Sequence, residues 1–332
     1  MAPDADAGKS SNRTDPFAPL TSEHLSVSDG HEIYVESVGR LGGIPAVYLH
    51  GGPGSGCQPD HRRLFDPERF HAVLFDQRGA GRSRPKGSRD ANTLQHLIAD
   101  MEMIRERFAL ERWMVVGGSW GATLALAYAQ AHPERITGIV LRATFLGTIA
   151  EIENGFLKVL PRFYPGLYDD FLSVLPQQER AHPIEAYFRR ILDPDPAVYG
   201  PAARAWGQTE GILSEHAPKR SRLDLPALTS SRALPATPFM EAHYFANDSF
   251  MRPDQLMNEA GKLNGIPGII VQGRYDLLCP PATSHALGAV WREAEIWVVE
   301  GAGHTLYDPG VRDAVMKSIA DMASRIASVS SS

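Results

Sequence analysis

The sequence predicts an α/β fold, a mostly parallel, doubly wound sheet of eight strands with a helical piece inserted late in the chain. Three observations carry this. Short apolar runs (AVYLH, AVLFD, WMVVG, GIIVQ, IWVV) lack the polar alternation of a half-exposed strand, as strands buried on both faces of a parallel sheet do. Helix-length segments separate them, giving a βαβ rhythm. That rhythm stops between about Gly147 and Leu263, a stretch rich in Pro, aromatic and charged residues with no strong apolar strand run.

In chain order the expected strands are Leu25–Ser28, Glu32–Gly39, Ala46–His50, Ala72–Asp76, Trp113–Gly117, Ile136–Ala143, Gly268–Gln272 and Glu295–Val299. The first two flank Asp29-Gly30, a strong signal for a two-residue hairpin turn, so that pair is expected to be antiparallel. Thr93–Phe108 and Ala122–Ala131 read as helices between strands, and Ile184–Leu192 and Ala202–Leu213 as helices of the insertion. The resulting division is a disordered polar tail over 1–24, a core over 25–146, a helical cap over 147–263 and the rest of the core over 264–332. The cap is expected above the C-terminal edge of the sheet, where ligand crevices form.

Composition narrows the functional classes. Over 332 residues, 33 Lys+Arg face 39 Asp+Glu, and no basic stripe stands out, so nucleic acid and anionic membrane surfaces are poor partners. Cys57 and Cys279, the two cysteines, cannot form a disulfide framework and lack zinc spacing, which fits a reducing compartment. The N-terminus has no apolar stretch of signal type, and no window approaches a membrane span, so a cytoplasmic protein is expected. Nothing indicates an oligomeric state.

The strongest chemical signal is Gly117-Gly118-Ser119-Trp120-Gly121, a G-x-S-x-G pattern that follows the strand WMVVG and opens the helix ATLALAYAQ. A serine on such a turn is lifted clear of the sheet, and the small residues two positions either side leave room for it. This is the nucleophile elbow of the α/β-hydrolase fold. Serine needs a base, and the base an orienting acid, in the chain order Ser, acid, His. Asp276 follows the strand GIIVQ and His304 follows IWVV, so both sit at C-terminal strand ends with Ser119. His285 lies inside a helical pattern, His243 precedes the acid, and Asp308 follows the histidine, so none of the three suits the order. The run His50-Gly51-Gly52-Pro53-Gly54-Ser55-Gly56 follows the strand AVYLH, where backbone donors to an oxyanion belong. Gly52 and Trp120 are the expected N–H donors, with His50 shaping the loop. Gly8-Lys9-Ser10 lacks the preceding strand and glycine of a phosphate loop, and there is no H-E-x-x-H, so no metal or cofactor is implied.

The segments HGGPGSG (50–56), DQRGAGRS (76–83), GGSWGATLALAYAQAHP (117–133), GRYDLLCP (273–280) and GAGH (301–304) together resemble the proline iminopeptidase family. The likeness runs from about Leu25 to Pro309. It implies an α/β-hydrolase whose helical cap supplies acidic residues to the amine of an N-terminal proline. Two cap segments match: Ala205 to Gly211, which makes Glu210 one amine-binding carboxylate, and Met240 to Phe245, which makes Glu241 the other. By the same resemblance Phe145, Phe245 and Cys279 line the proline pocket. The chain departs from the family at Thr209, where a second Trp is usual, at Ala80, where Cys is common, and at the cap entrance GTIAEIENGF (147–156), which lacks the family's basic run. The substrate implied is a small peptide or aminoacyl compound. Two other readings stand beside it: an esterase or amino-acid amidase on the same scaffold, and a non-catalytic small-molecule binder.

Overall fold

The computed structural model describes residues 15–330. Eight strands form one sheet: β1 Thr21–Ser26, β2 Glu32–Gly39, β3 Ile44–Leu49, β4 Phe70–Phe75, β5 Trp113–Ser119, β6 Ile136–Thr144, β7 Gly268–Gly273 and β8 Ala294–Val299. Their spatial order is β1-β2-β4-β3-β5-β6-β7-β8. β2 is antiparallel to both neighbours, and every other pairing is parallel. The principal helices are α1 Leu94–Arg107, α2 Trp120–Ala131, α3 Pro165–Ser173, α4 Pro183–Ile191, α5 Pro196–Ser214, α6 Thr237–Phe245, α7 Pro281–Val290 and α8 Val311–Ser330. No helix of the described residues is long and apolar enough to cross a membrane.

Non-alternating apolar runs become strands because both faces are covered. Val47, Leu49, Val73, Phe75, Val115, Ile139 and Leu141 join one buried cluster with residues of α1, α2 and α7. Their sequence neighbours Ala46, Tyr48, Ala72, Leu74, Met114, Val116 and Val140 join a second cluster with Val315, Ile319 and Met322 of α8. The Asp29-Gly30 turn forms with both residues at positive φ (59° and 75°), and the His31 amide donates to the Ser28 carbonyl across it. Two expectations shift at the N-terminus. The first strand is Thr21–Ser26 rather than Leu25–Ser28, so Thr21–His24 are not tail: Thr21 lies opposite Ser37 and His24 opposite Tyr34. TSEHLS is a polar, exposed edge strand held by its pairing with β2, not by apolar burial. Residues 1–14 of the expected tail lie outside the described residues.

Between β6 and β7 the chain is helical. Prolines open its helices: Pro165, Pro183 and Pro196 stand at first positions and Pro238 at a second, where a missing N–H costs nothing. Asp195 caps α5, its Oδ1 accepting from the Ala197 amide at 2.9 Å.

The segment 76–83 is the mechanical joint of the core. Asp76 accepts from the Cys57 amide at 2.6 Å and from the Arg82 amide and Nε at 2.8 Å, tying the loop after β3 to the end of β4. Arg78 is buried and forked onto Asp100 of α1, both bonds 2.7 Å, and it also donates to Ser28 and to the Ala91 carbonyl. Removing one partner of such a pair leaves an uncompensated buried charge. Asp100→Asn is expected to lower the unfolding free energy by ~3–5 kcal/mol, read as a fall in urea midpoint; an unchanged midpoint would show that the pair holds nothing.

Candidate active site

Ser119 occupies the junction of β5 and α2 with φ 57° and ψ −124°, a conformation that other strand and helix residues avoid. The turn demands glycine on both sides. A Cβ at Gly117 would fall 2.2 Å from the Gly121 carbonyl oxygen, and one at Gly121 would fall 2.1 Å from that of Leu49. The loop after β3 is fixed to this turn through Gln77. The Gln77 amide donates to His50 Nε2 at 3.0 Å, its side-chain amide donates to the His50 carbonyl at 2.9 Å, and Trp120 Nε1 donates to Gln77 Oε1 at 2.9 Å. His50 is buried, and burial pushes its pKa down, so it serves as a neutral peg in the loop.

Asp276 follows β7 and His304 follows β8, on the same sheet edge as Ser119. Asp276 Oδ1 accepts from the amides of Leu278 (3.0 Å) and Cys279 (2.8 Å). His304 Nδ1 lies 2.9 Å from Asp276 Oδ2 and 3.1 Å from Oδ1. A carboxylate so placed holds Nδ1 protonated and leaves Nε2 as the basic nitrogen. Asp308 does not touch the imidazole: it accepts from the amides of Gly303 (2.7 Å) and His216 (3.2 Å) and so shapes the loop that carries His304. His285 is exposed on α7, and His243 Nε2 bonds the Asn92 carbonyl at 2.7 Å.

Two cavities share Gly52, Ser119, Glu210 and Leu278 in their walls. The first is largely apolar, lined among others by Phe145, Phe245, Cys279, Phe156 and Trp206. Phe145 and Phe245 meet edge to face at 5.6 Å, and Phe156 stacks on Trp206 at 4.2 Å. Burial pushes the Cys279 thiol well up, so it is a neutral wall group. The second cavity is wider and more polar, and it contains His304, His61 and Arg142.

Glu210 of α5 is partly exposed in both cavities, whereas Glu241 of α6 is buried and lines neither. The two carboxyl groups contact each other, and Trp206 Nε1 donates to Glu241 Oε2 at 2.7 Å. Glu241 Oε1 has no other donor in reach. Burial holds both groups above the usual carboxylate range, and the Glu210 charge raises Glu241 further. Two carboxyl groups in contact with no Arg or Lys beside them favour a proton between them.

The α/β hydrolase fold family model matches residues 45–311. The proline iminopeptidase of Neisseria meningitidis is 41% identical over 309 residues, 92% of this chain and 96% of that protein. That of Arabidopsis thaliana is 40% identical over 303 residues, 89% of this chain and 78% of that protein. The chain belongs to the proline iminopeptidase family. Membership spans the helical insertion as well as the sheet, since the aligned share leaves no room for a foreign insert. The crystal structure of a proline iminopeptidase from Mycobacterium smegmatis, 16% identical, covers 91% of this chain and 99% of that one with a TM-score of 0.60, a likeness of fold.

Three residues at the site escaped sequence reasoning. Gln77 sat unremarked within DQRGAGRS. Glu151, in the wall of the apolar pocket, accepts from the Leu146 and Thr148 amides and from the Thr148 hydroxyl, capping the first helical turn of the insertion. Arg142 is the one charge in the apolar run IVLRATF, and a charge in a strand buried on both faces was the available signal. The geometry separates the two candidate acids. Asp276→Asn is expected to favour the wrong His304 tautomer and lower kcat by roughly 10⁴-fold, whereas Asp308→Asn should change kcat far less. Steady-state kinetics in the opposite order would move the orienting role to Asp308.

Proposed function

We propose that the protein is a serine aminopeptidase that releases N-terminal proline from small peptides. The observation that carries this is the placement of Ser119 and Glu210 on one apolar pocket, with Glu241 buried against Glu210. A free amine held by the carboxylates puts the adjacent carbonyl carbon within the nucleophile's surroundings. The family relationship supplies the substrate class. A secondary ammonium taken out of water needs a charge partner, and the pair offers one that is not already neutralised by Arg or Lys. The pyrrolidine ring is assigned to the wall formed by Phe145, Phe245 and Cys279.

In this reading Ser119 Oγ attacks the prolyl carbonyl carbon while His304 takes the hydroxyl proton. The oxyanion is received by the N–H groups of Gly52 and Trp120. Asp276 stabilises the imidazolium, which then gives its proton to the leaving nitrogen as the C–N bond breaks. Water, deprotonated by His304, hydrolyses the acyl-enzyme and frees proline. Cys57 and Cys279 are buried and unpaired, which supports a cytoplasmic location.

Replacing either glutamate by Gln keeps size and hydrogen bonding but removes charge from a desolvated pair, a loss of ~2–5 kcal/mol. kcat/KM for a prolyl amide is expected to fall at least about 30-fold, with little change for an uncharged acyl ester of similar size. Parallel loss on both substrates would reduce the glutamates to scaffold, and loss on neither would move the esterase reading ahead.

The raised carboxyls also set a pH dependence. Protonation is favoured in the empty site and ionisation by a bound ammonium. KM for the prolyl amide is therefore expected to fall as pH rises through the pair's raised range, with KM for the ester flat. A folded-state pKa raised by burial contributes stability below the ordinary carboxylate range that is lost as pH rises through the raised value. Glu241→Gln cannot ionise, so above that range it should melt no lower than wild type despite its lost activity. A large fall in melting temperature would mark Glu241 as structural.

A further inference from the structure

The two cavities that meet at Ser119 differ in charge, and the difference bears on the leaving group. The first is walled by apolar side chains, with Glu210 shared between the two cavities and Glu241 buried behind it. The second holds Arg142, the one side chain in either wall that carries a fixed positive charge. Arg142 lies beside Gly118 in the β5–β6 register. Its guanidinium passes over Gly118, where a Cβ would fall 2.7 Å from Nη2, one residue from the nucleophile. Just beyond it, Ala143 takes φ 51° and the register slips, so that Ser119 pairs with Thr144; the bulge separates Arg142, on the second cavity, from Phe145, on the first.

Arg142 Nη1 donates to the His304 carbonyl oxygen. Among the described residues Arg142 has no carboxylate partner, although the other deeply placed arginines, Arg78 and Arg105, are forked onto Asp100 and Glu102. His61, in the same cavity wall, is pushed down to about 4, chiefly by burial, so it is neutral near pH 7. A guanidinium in the cavity wall that bonds a carbonyl but no carboxylate keeps its charge and free donors for an anion.

We propose that Arg142 forms a leaving-group subsite for the free C-terminal carboxylate of a dipeptide. This rests on the proline-releasing reading above. With the prolyl ring and ammonium in the first cavity, the scissile nitrogen enters the second. In a dipeptide the carboxylate carbon is two bonds from that nitrogen, so it enters with it. In a longer peptide the same position is a neutral amide. The substrate's positive end then faces Glu210 and Glu241 and its negative end faces Arg142, and the reversed orientation would set like charges together at both ends.

Proline release from prolylalanine and from prolylalanine amide tests this on the full chain. Wild type is expected to show kcat/KM about tenfold higher for the free acid, the scale of one charge-assisted hydrogen bond. That advantage should shrink as salt is added, with the amide little affected. Arg142→Gln is expected to bring the acid-to-amide ratio to about one, and Arg142→Lys to keep part of it. The ratio cancels any common loss from the missing bond to the His304 carbonyl. A wild-type ratio near one, an advantage indifferent to salt, or an unchanged ratio in Arg142→Gln would overturn the subsite and leave the aminopeptidase reading standing. Hydrolysis of neither compound would remove that reading and the subsite with it.

Discussion

At Ser119 the backbone passes from strand to helix within one residue, at positive φ, a strain of about 1–3 kcal/mol for a residue with a side chain. The strain persists because the surroundings leave no alternative. At Gly117 and Gly121 the neighbouring carbonyl oxygens leave no space for a side chain, so only glycine fits on either side of the turn. Trp120 is buried and pinned through Gln77 to the loop after β3. The same linkage holds the loop that carries Gly52 and the turn that carries Ser119 and Trp120 as one body. The buried ion pairs of Arg78 and Asp76 brace that body from below, which explains why a motif with no group in the cavities is so rich in charge.

The Glu210–Glu241 pair works against the stability that the rest of the core supplies. Two carboxyls without a cationic neighbour would be replaced by apolar side chains if packing alone mattered. Glu241 Oε1 in particular is buried with no hydrogen-bond partner among the described residues. In the proposed function the cationic amine of the substrate offsets this cost. The apolar walls strengthen the attraction by keeping water from it. Glu151 shows the contrast. It is as deeply placed, yet it is satisfied by amides and a hydroxyl, and its role is to begin a helix.

The sheet was legible because two-sided burial leaves an unmistakable apolar run, and because Asp29-Gly30 can hardly be anything but a turn. β1 was not, since an edge strand held by backbone pairing needs no apolar pattern: Ser22, Glu23 and His24 read as tail. The insertion was legible as a gap in the rhythm with two helices in it, over 184–192 and 202–213, while the starts of its helices were hidden by the prolines that open them. Ser119, Asp276 and His304 stand out as candidates because each follows a strand run in the required order. Gln77 and Glu151 do not, and Arg142 shows only as a charge in an apolar run, because their partners are the His304 carbonyl for Arg142, His50 with Trp120 for Gln77, and the amides of Leu146 and Thr148 for Glu151.

The bulge at Ala143 connects these threads. A regular β6 would set the residues after Arg142 in unbroken register with β5 and carry Phe145 out of step with Ser119. One extra residue puts Arg142 beside Gly118 and Thr144 beside Ser119, so a cation and an aromatic wall only three positions apart serve different cavities. The Phe145 carbonyl is then held by the Thr123 hydroxyl of α2 at 2.8 Å, which fastens the bulge to the helix that Ser119 begins. Strand end, helix start and bulge thus share hydrogen bonds. A change in any of them displaces the boundary between the two cavities, where the proposed reaction puts the scissile bond.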